Sequence, residues 1–160
     1  MLSNTFTLES VQAKKWSGDI TPIKDFYDSV AYQWQPSEDE KIFVATMTDN
    51  IIGIARLCSE EGFLVLRGMQ VGPAYQGKGA GRLLLTELIK YIPAGVPCWG
   101  IPYEHLEDFY KNGAFTFVDE KIAPAHLQER IKAYRIRNKD KHYRIMYREP
   151  ISRQAGDLSL

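Results

Sequence analysis

The stretch "VGPAYQGKGAGRLLLTEL", residues 71–88, sets four glycines, a proline and a lysine directly ahead of a leucine-rich run. Three phosphate-binding patterns compete for it. Gly72 to Gly79 nearly spells the nucleoside-triphosphate loop GxxxxGK[ST], but the last position is Gly79, which has no hydroxyl to place on Mg²⁺. A dinucleotide GxGxxG reading from Gly77 and Gly79 would need a glycine where Arg82 stands. The pattern Q-x-x-G-x-G, from Gln76 to Gly81, fits at every position. Its glycines let the backbone turn tightly and approach an anion, and the helix that follows offers unpaired N–H groups and a positive dipole end. Lys78 and Arg82 add positive charge. The ligand implied is a diphosphate lying across the N–H groups of about Gly77 to Arg82, held without a metal. Packing alone also produces glycine-rich turns between strand and helix, so the neighbours must decide.

Working outward, FLVLRGMQV (63–71) reads as a strand before the loop. KIFVATM (41–47) and IIGIARL (51–57) are strands joined by the hairpin signal Thr48-Asp49-Asn50, and Ser59 to Gly62 is a second turn. Leu84, Leu85, Leu88 and Ile92 fall on one face of a helix that must end before Pro93. TFTLESVQ (5–12) alternates as a first strand. Thr21-Pro22 opens a helix with Ile23, Phe26, Tyr27 and Val30 on one side. Beyond the loop come a strand in VPCWGIP (96–102), a helix carrying Leu106, Phe109 and Tyr110 that Gly113 is placed to stop, and a strand in FTFVDE (115–120). A helix from Pro124 with the stripe Leu127, Ile131, Tyr134 and a strand in HYRIMYRE (142–149) complete the order. Strand, helix, three-strand meander, then alternating helix and strand predict an α/β sandwich on a mixed sheet.

The totals agree with an ordinary globular chain. At 160 residues, one domain over 1–150 with a tail at 151–160 is expected. Zero formal net charge points away from nucleic acid and membrane surfaces. The opening residues lack the layout of a signal peptide, and no run reaches the roughly 20 apolar residues of a membrane span. Cys58 and Cys98 sit in apolar stretches and read as buried thiols, which suits a cytoplasmic setting. No histidine pair has metal-ligand spacing, so no metal is expected.

"MQVGPAYQGKGAGRLLL" (69–85) resembles the acetyl-coenzyme-A-binding segment of the GNAT acetyltransferase superfamily, and "HLEDFYKNGAF" (105–115) resembles its next motif, FYxxxGF. The resemblance runs from residue 41 to Phe115. It implies a mixed, mostly antiparallel central sheet flanked by helices on both faces, with strands four and five splayed so that the pantetheine arm enters like an extra strand. It implies acetyl-CoA as acyl donor, bound by Gln76, Gly77, Lys78, Gly79, Ala80, Gly81 and Arg82, with the main chain of Met69 and Val71 pairing the arm. One backbone N–H there would polarise the thioester. Tyr110 matches the family's general acid. Two departures stand out: Ala114 replaces a glycine, which is expected to be harmless beside Gly113, and Tyr103 replaces an asparagine that contacts the cofactor arm.

The activity implied is N-acetylation of a primary amine on a small molecule or peptide by direct attack on the thioester, with a homodimer compatible. The base stays open among Glu104, His105, Glu60, Glu61 and a relay of waters. His126 and His142 read as surface residues. The acceptor pocket is expected around Phe26, Tyr27, Tyr32 and Trp34 and the acids after them, although core packing explains these aromatics equally well. The basic run from Lys132 to Arg144 reads as a solvated helix face, or as an RNA patch if it binds salt-sensitively. Two other readings compete: a non-catalytic acyl-CoA-binding module, and a toxin-like transferase acting on an RNA- or ribosome-associated amine.

Overall fold

The structure, a computed structural model, describes residues 10–152. The strand expected at 5–12 therefore lies mostly outside the described residues, as does the tail past 152. The first described strand, β1, is Val11–Lys15. There follow α1 (Thr21–Ser29), β2 (Glu40–Met47), β3 (Asn50–Glu60), β4 (Phe63–Val71), α2 (Ala80–Ile89) and β5 (Cys98–Gly100). Then come α3 (Glu107–Lys111), β6 (Phe115–Val118), α4 (Ala125–Arg137) and β7 (Ile145–Arg148). This is the order that the periodicities predict. The strands form a seven-stranded sheet in the order β1-β2-β3-β4-β5-β7-β6. β4 and β5 run parallel; β1–β2, β2–β3, β5–β7 and β6–β7 are antiparallel.

The chain divides into two compact units. The first runs to Cys58 and takes in Arg67–Tyr91; the second holds Ser59–Leu66 and the chain from Ile92 on. In the first, β3 is buried without a break from Ile52 to Cys58 and β2 from Phe43 to Ala45, because helices pack on these strands. Val44 and Ile54, paired across the two strands, pack with Ile23, Phe26 and Tyr27 of α1. Phe43, on the alternate face, meets the ring of Tyr91 just past α2. Leu84, Leu85 and Leu88 are fully buried on α2, each worth about 1.5–3 kcal/mol of apolar burial. A Cβ on Gly53 would lie 3.1 Å from Leu84, so the missing side chain lets α2 sit close to β3. In the second unit Val65, Trp99, Leu127, Ile131 and Ile145 form the core under α4.

Several boundaries differ from expectation for identifiable reasons. The β2–β3 hairpin turns on Thr48 and Asp49, both left-handed at φ 49° and 64°, which is the backbone of a tight two-residue turn. β3 runs on to Glu60, so the next turn narrows to Glu61 and Gly62. α1 ends at Ser29, and Ala31 at φ 56° redirects the chain, so Val30 is past the helix. α2 ends at Ile89, leaving Ile92 buried outside it. Prolines 97 and 102, which cannot donate to a ladder, shorten the expected strand 96–102 to β5. Regular pairing of β7 begins only at Ile145, after a single bridge from Tyr143 to Tyr103.

Candidate functional site

β4 leaves the sheet at Val71, and Gly72 N–H still bonds the Ile52 carbonyl at 2.8 Å. Pro73–Tyr75 then make one 3-10 turn. The side-chain amide of Gln76 donates back to the Val71 carbonyl at 3.1 Å, tying the two ends of that turn. The motif's glutamine thus shapes the loop. Gly77 (φ 76°) and Gly79 (φ 90°) take left-handed backbone, and Gly79 is the N-cap of α2. Gly81, expected to share that freedom, is instead an ordinary helical residue, and Ala80 is buried. The bond from Leu83 N–H to the Gly79 carbonyl, at 3.1 Å, starts the helical ladder. The N–H groups of Ala80, Gly81 and Arg82 precede it, and no side chain caps this end. Lys78 and Arg82 are exposed at its rim. Amides aimed out of a ten-residue helix, flanked by two cations and open above Gly77, fit a diphosphate.

Upstream, β4 pairs with β5 only over Leu64–Leu66 and continues to Val71. Gly68 lies in that extension at φ 64°, a left-handed residue inside a strand and thus the mark of a bulge. Its carbonyl accepts the hydroxyl of Tyr27 at 2.8 Å. A side chain there is excluded, since a Cβ would lie 2.5 Å from that hydroxyl. Tyr27 in turn accepts from Arg56 Nε at 3.3 Å. Arg56 donates to Tyr32 at 3.0 Å and to Glu40 at 2.7 Å, and Trp34 donates to the other Glu40 oxygen at 3.2 Å. Burial works against the charge of Arg56, but the oxygens around it outweigh that and hold its proton above the usual arginine range. Of the two readings open for these aromatics, acceptor pocket or core packing, Phe26 and Tyr27 take the second: both are core residues, and Glu40 is spent on Arg56. Tyr32 and Trp34 alone also reach a groove of about 520 Å³ beside Asp28, Gln33 and Gln35.

Tyr110 belongs to the second unit. Its side chain is 4% exposed, set against Phe109 and Phe115 edge-on. Burial pushes its phenol well above the ordinary range. The corner after α3 is held by Arg148, buried, whose Nε donates to the Gly113 carbonyl at 2.9 Å. The left-handed residue at that corner is Ala114, φ 67°, not Gly113. The departure from the FYxxxGF pattern is therefore a strained one, at a cost of about 1–2 kcal/mol for a side chain in that conformation.

The base candidates separate. Glu60 binds Arg130 at 2.8 Å and His126 at 3.2 Å, and Glu61 lies 3.5 Å from the other His126 nitrogen. These two acids are engaged at the N-terminal end of β4, and His126 is half-buried between them, contrary to the surface reading. Glu104 faces Arg144 at 3.6 Å, and His105 stacks on Tyr103. Of the basic run, Arg135 is locked onto Glu120, and Arg144 with Lys139, Lys141 and His142 lines a cavity of about 330 Å³. Cys58 and Cys98 are buried, as expected. No helix among the described residues is long and apolar enough to cross a membrane.

Residues 8–114 match the model of the acetyltransferase (GNAT) family. No curated protein matches the chain by sequence. Among solved structures the chain is similar to the ribosomal-protein-S18-alanine N-acetyltransferase from Escherichia coli, with a TM-score of 0.63 and 19% identity over 94% of this chain and 99% of that one. It is also similar to ElaA from Escherichia coli, with a TM-score of 0.60 and 15% identity over 87% and 99% of the two chains. A third likeness is to N-acetylglutamate synthase from Neisseria gonorrhoeae, complexed with coenzyme A and N-acetyl-glutamate. There the TM-score is 0.59 at 17% identity, over 92% of this chain but 36% of that one. At such identities the likeness carries the fold.

Proposed function

This chain belongs to the acetyltransferase (GNAT) family, and from that premise we propose that it moves an acetyl group from acetyl-CoA to a primary amine of a small molecule or peptide. The observation that carries this is the loop from Gln76 to Arg82, where two left-handed glycines deliver the chain into an uncapped helix N-terminus. Acetyl-CoA supplies an activated acyl thioester with a diphosphate in its handle. The N–H groups of Ala80, Gly81 and Arg82 hold that diphosphate, with Lys78 and Arg82 balancing its charge. The main chain of Met69 and Val71, in the part of β4 beyond its β5 partner, bonds the amides of the arm. The N–H of Met69 receives the negative charge that builds on the thioester oxygen as the amine attacks.

The amine nitrogen forms the new bond to the acetyl carbon, the carbon–sulfur bond breaks, and the amine's surplus proton passes to water. Tyr110 gives its proton to the leaving sulfur. Burial makes its phenol a weaker acid than in water, but a thiolate in the same dry surroundings is a stronger base for the same reason, so the two remain matched. The experiment is thiol release from acetyl-CoA over a panel of small amines and peptide N-termini. Release that depends on the amine supports transfer; tight CoA binding with no release over the whole panel favours a binding module instead.

A further inference from the structure

We propose that Tyr27, backed by the buried pair Arg56 and Glu40, is a positioning device that aims and strengthens the Met69 N–H. The inference rests on the acetyl-transfer reading above and adds residues to it that lie outside the cofactor loop. Gly68 and Met69 share one peptide plane, and in a trans peptide the carbonyl and the following N–H point in opposite directions. The Tyr27 hydroxyl fixes the Gly68 carbonyl toward itself at 2.8 Å, so the Met69 N–H points away from Tyr27. Gly68 itself sits at φ 64°, off the backbone of a regular strand, so the hydroxyl bond holds its carbonyl at a point where the chain departs from regular pleating.

The clamp is itself immobilised. Tyr27 is fully buried, and its oxygen accepts from Arg56 Nε at 3.3 Å while its proton goes to Gly68. Arg56 is held by Glu40 at 2.7 Å and Tyr32 at 3.0 Å, with its own side chain 1% exposed. A cation donating to a hydroxyl makes that hydroxyl a better donor, and a carbonyl that accepts strongly makes its own amide N–H more positive. The chain Arg56, Tyr27, Gly68 carbonyl, Met69 N–H therefore transmits polarisation to the group that faces developing negative charge. A buried ion pair in this place is poorly explained by stability alone, since apolar residues of the same volume would serve as well.

The test uses acetyl-CoA carrying carbon-13 at the thioester carbonyl. Its stretching frequency is read by difference infrared on wild type and Tyr27→Phe, with affinity measured alongside by calorimetry. The proposal expects the bound carbonyl to vibrate lower than in water for wild type and to move back up in Tyr27→Phe, with affinity changed less than about twofold. Turnover with an active amine falls about tenfold with KM for acetyl-CoA unchanged, less than the loss of a whole oxyanion donor. An identical frequency in the two proteins overturns the proposal. Should Tyr27→Phe not fold, the double variant Glu40→Leu/Arg56→Met removes the polarising cation and keeps the phenol; a smaller upward shift is expected, and no shift overturns the proposal equally. A wild type that binds no acetyl-CoA would bring down the acetyl-transfer reading itself, an outcome separable from unshifted frequencies in proteins that do bind.

Discussion

Arg56 and Glu40 form an ion pair at 2.7 Å with side chains only 1% and 4% exposed, on adjacent strands β3 and β2. A buried charge that loses its partner cannot be rehydrated, so Glu40→Ala should lower unfolding free energy by about 3–5 kcal/mol in a urea titration. Removing both charges as Glu40→Leu/Arg56→Met should cost far less than that. Equal losses for the single and double variants would contradict the account of the pair.

The corner after α3 gives a prediction of opposite sign. Ala114 carries φ 67°, and glycine there would relieve the left-handed strain while adding some freedom to the unfolded chain. Ala114→Gly should therefore stabilise the protein by about 0.5–1 kcal/mol, read as a higher Tm. A lower Tm would show that the alanine methyl has a packing role.

Much of this was legible in the sequence, and the exceptions are physical. The long periodic elements and the glycine spacing around α2 read directly, because burial on a face forces a period and a left-handed turn forces a glycine. The Ala114 corner was misread, since backbone φ is set by where Arg148 and β6 hold the chain and not by which residue prefers the angle. The Tyr27–Arg56–Glu40 cluster was missed because its members are spread over three elements. Two signals did point to it: an arginine inside the apolar run IIGIARL, which needs a buried partner, and a lone glycine inside FLVLRGMQV. The roles of Glu60 and His126 depend on α4 reaching the β3–β4 turn, a long-range contact that no local pattern encodes.

For the chemistry, Tyr110→Phe should lower turnover at least about tenfold and leave CoA affinity nearly intact. Because burial lifts the phenol above its usual range, wild-type turnover should not decline through loss of this proton near pH ~10. Unchanged turnover in the variant would remove Tyr110 from the mechanism.

Acid stability should depend on Glu120. The Arg135 guanidinium bound to it holds its carboxyl below the ordinary value of 4.5. A lowered folded-state value means stabilisation that is present above the ordinary value and lost as pH falls through the folded one. Glu120→Gln should accordingly show a shallower loss of stability with falling pH in that window, with the difference from wild type largest at neutral pH. Parallel pH–stability curves would contradict it.

The central claim is that the backbone from Gln76 to Arg82 grips a diphosphate without a divalent ion. Calorimetric titration of CoA into wild type and Gly79→Asp, in the presence of a chelator, tests it most directly. The account predicts saturable binding to wild type and none to the variant, whose side chain would need left-handed backbone at φ 90° and would set a negative charge in the cradle. Equal binding by both proteins, or wild-type binding that requires Mg²⁺, would contradict it.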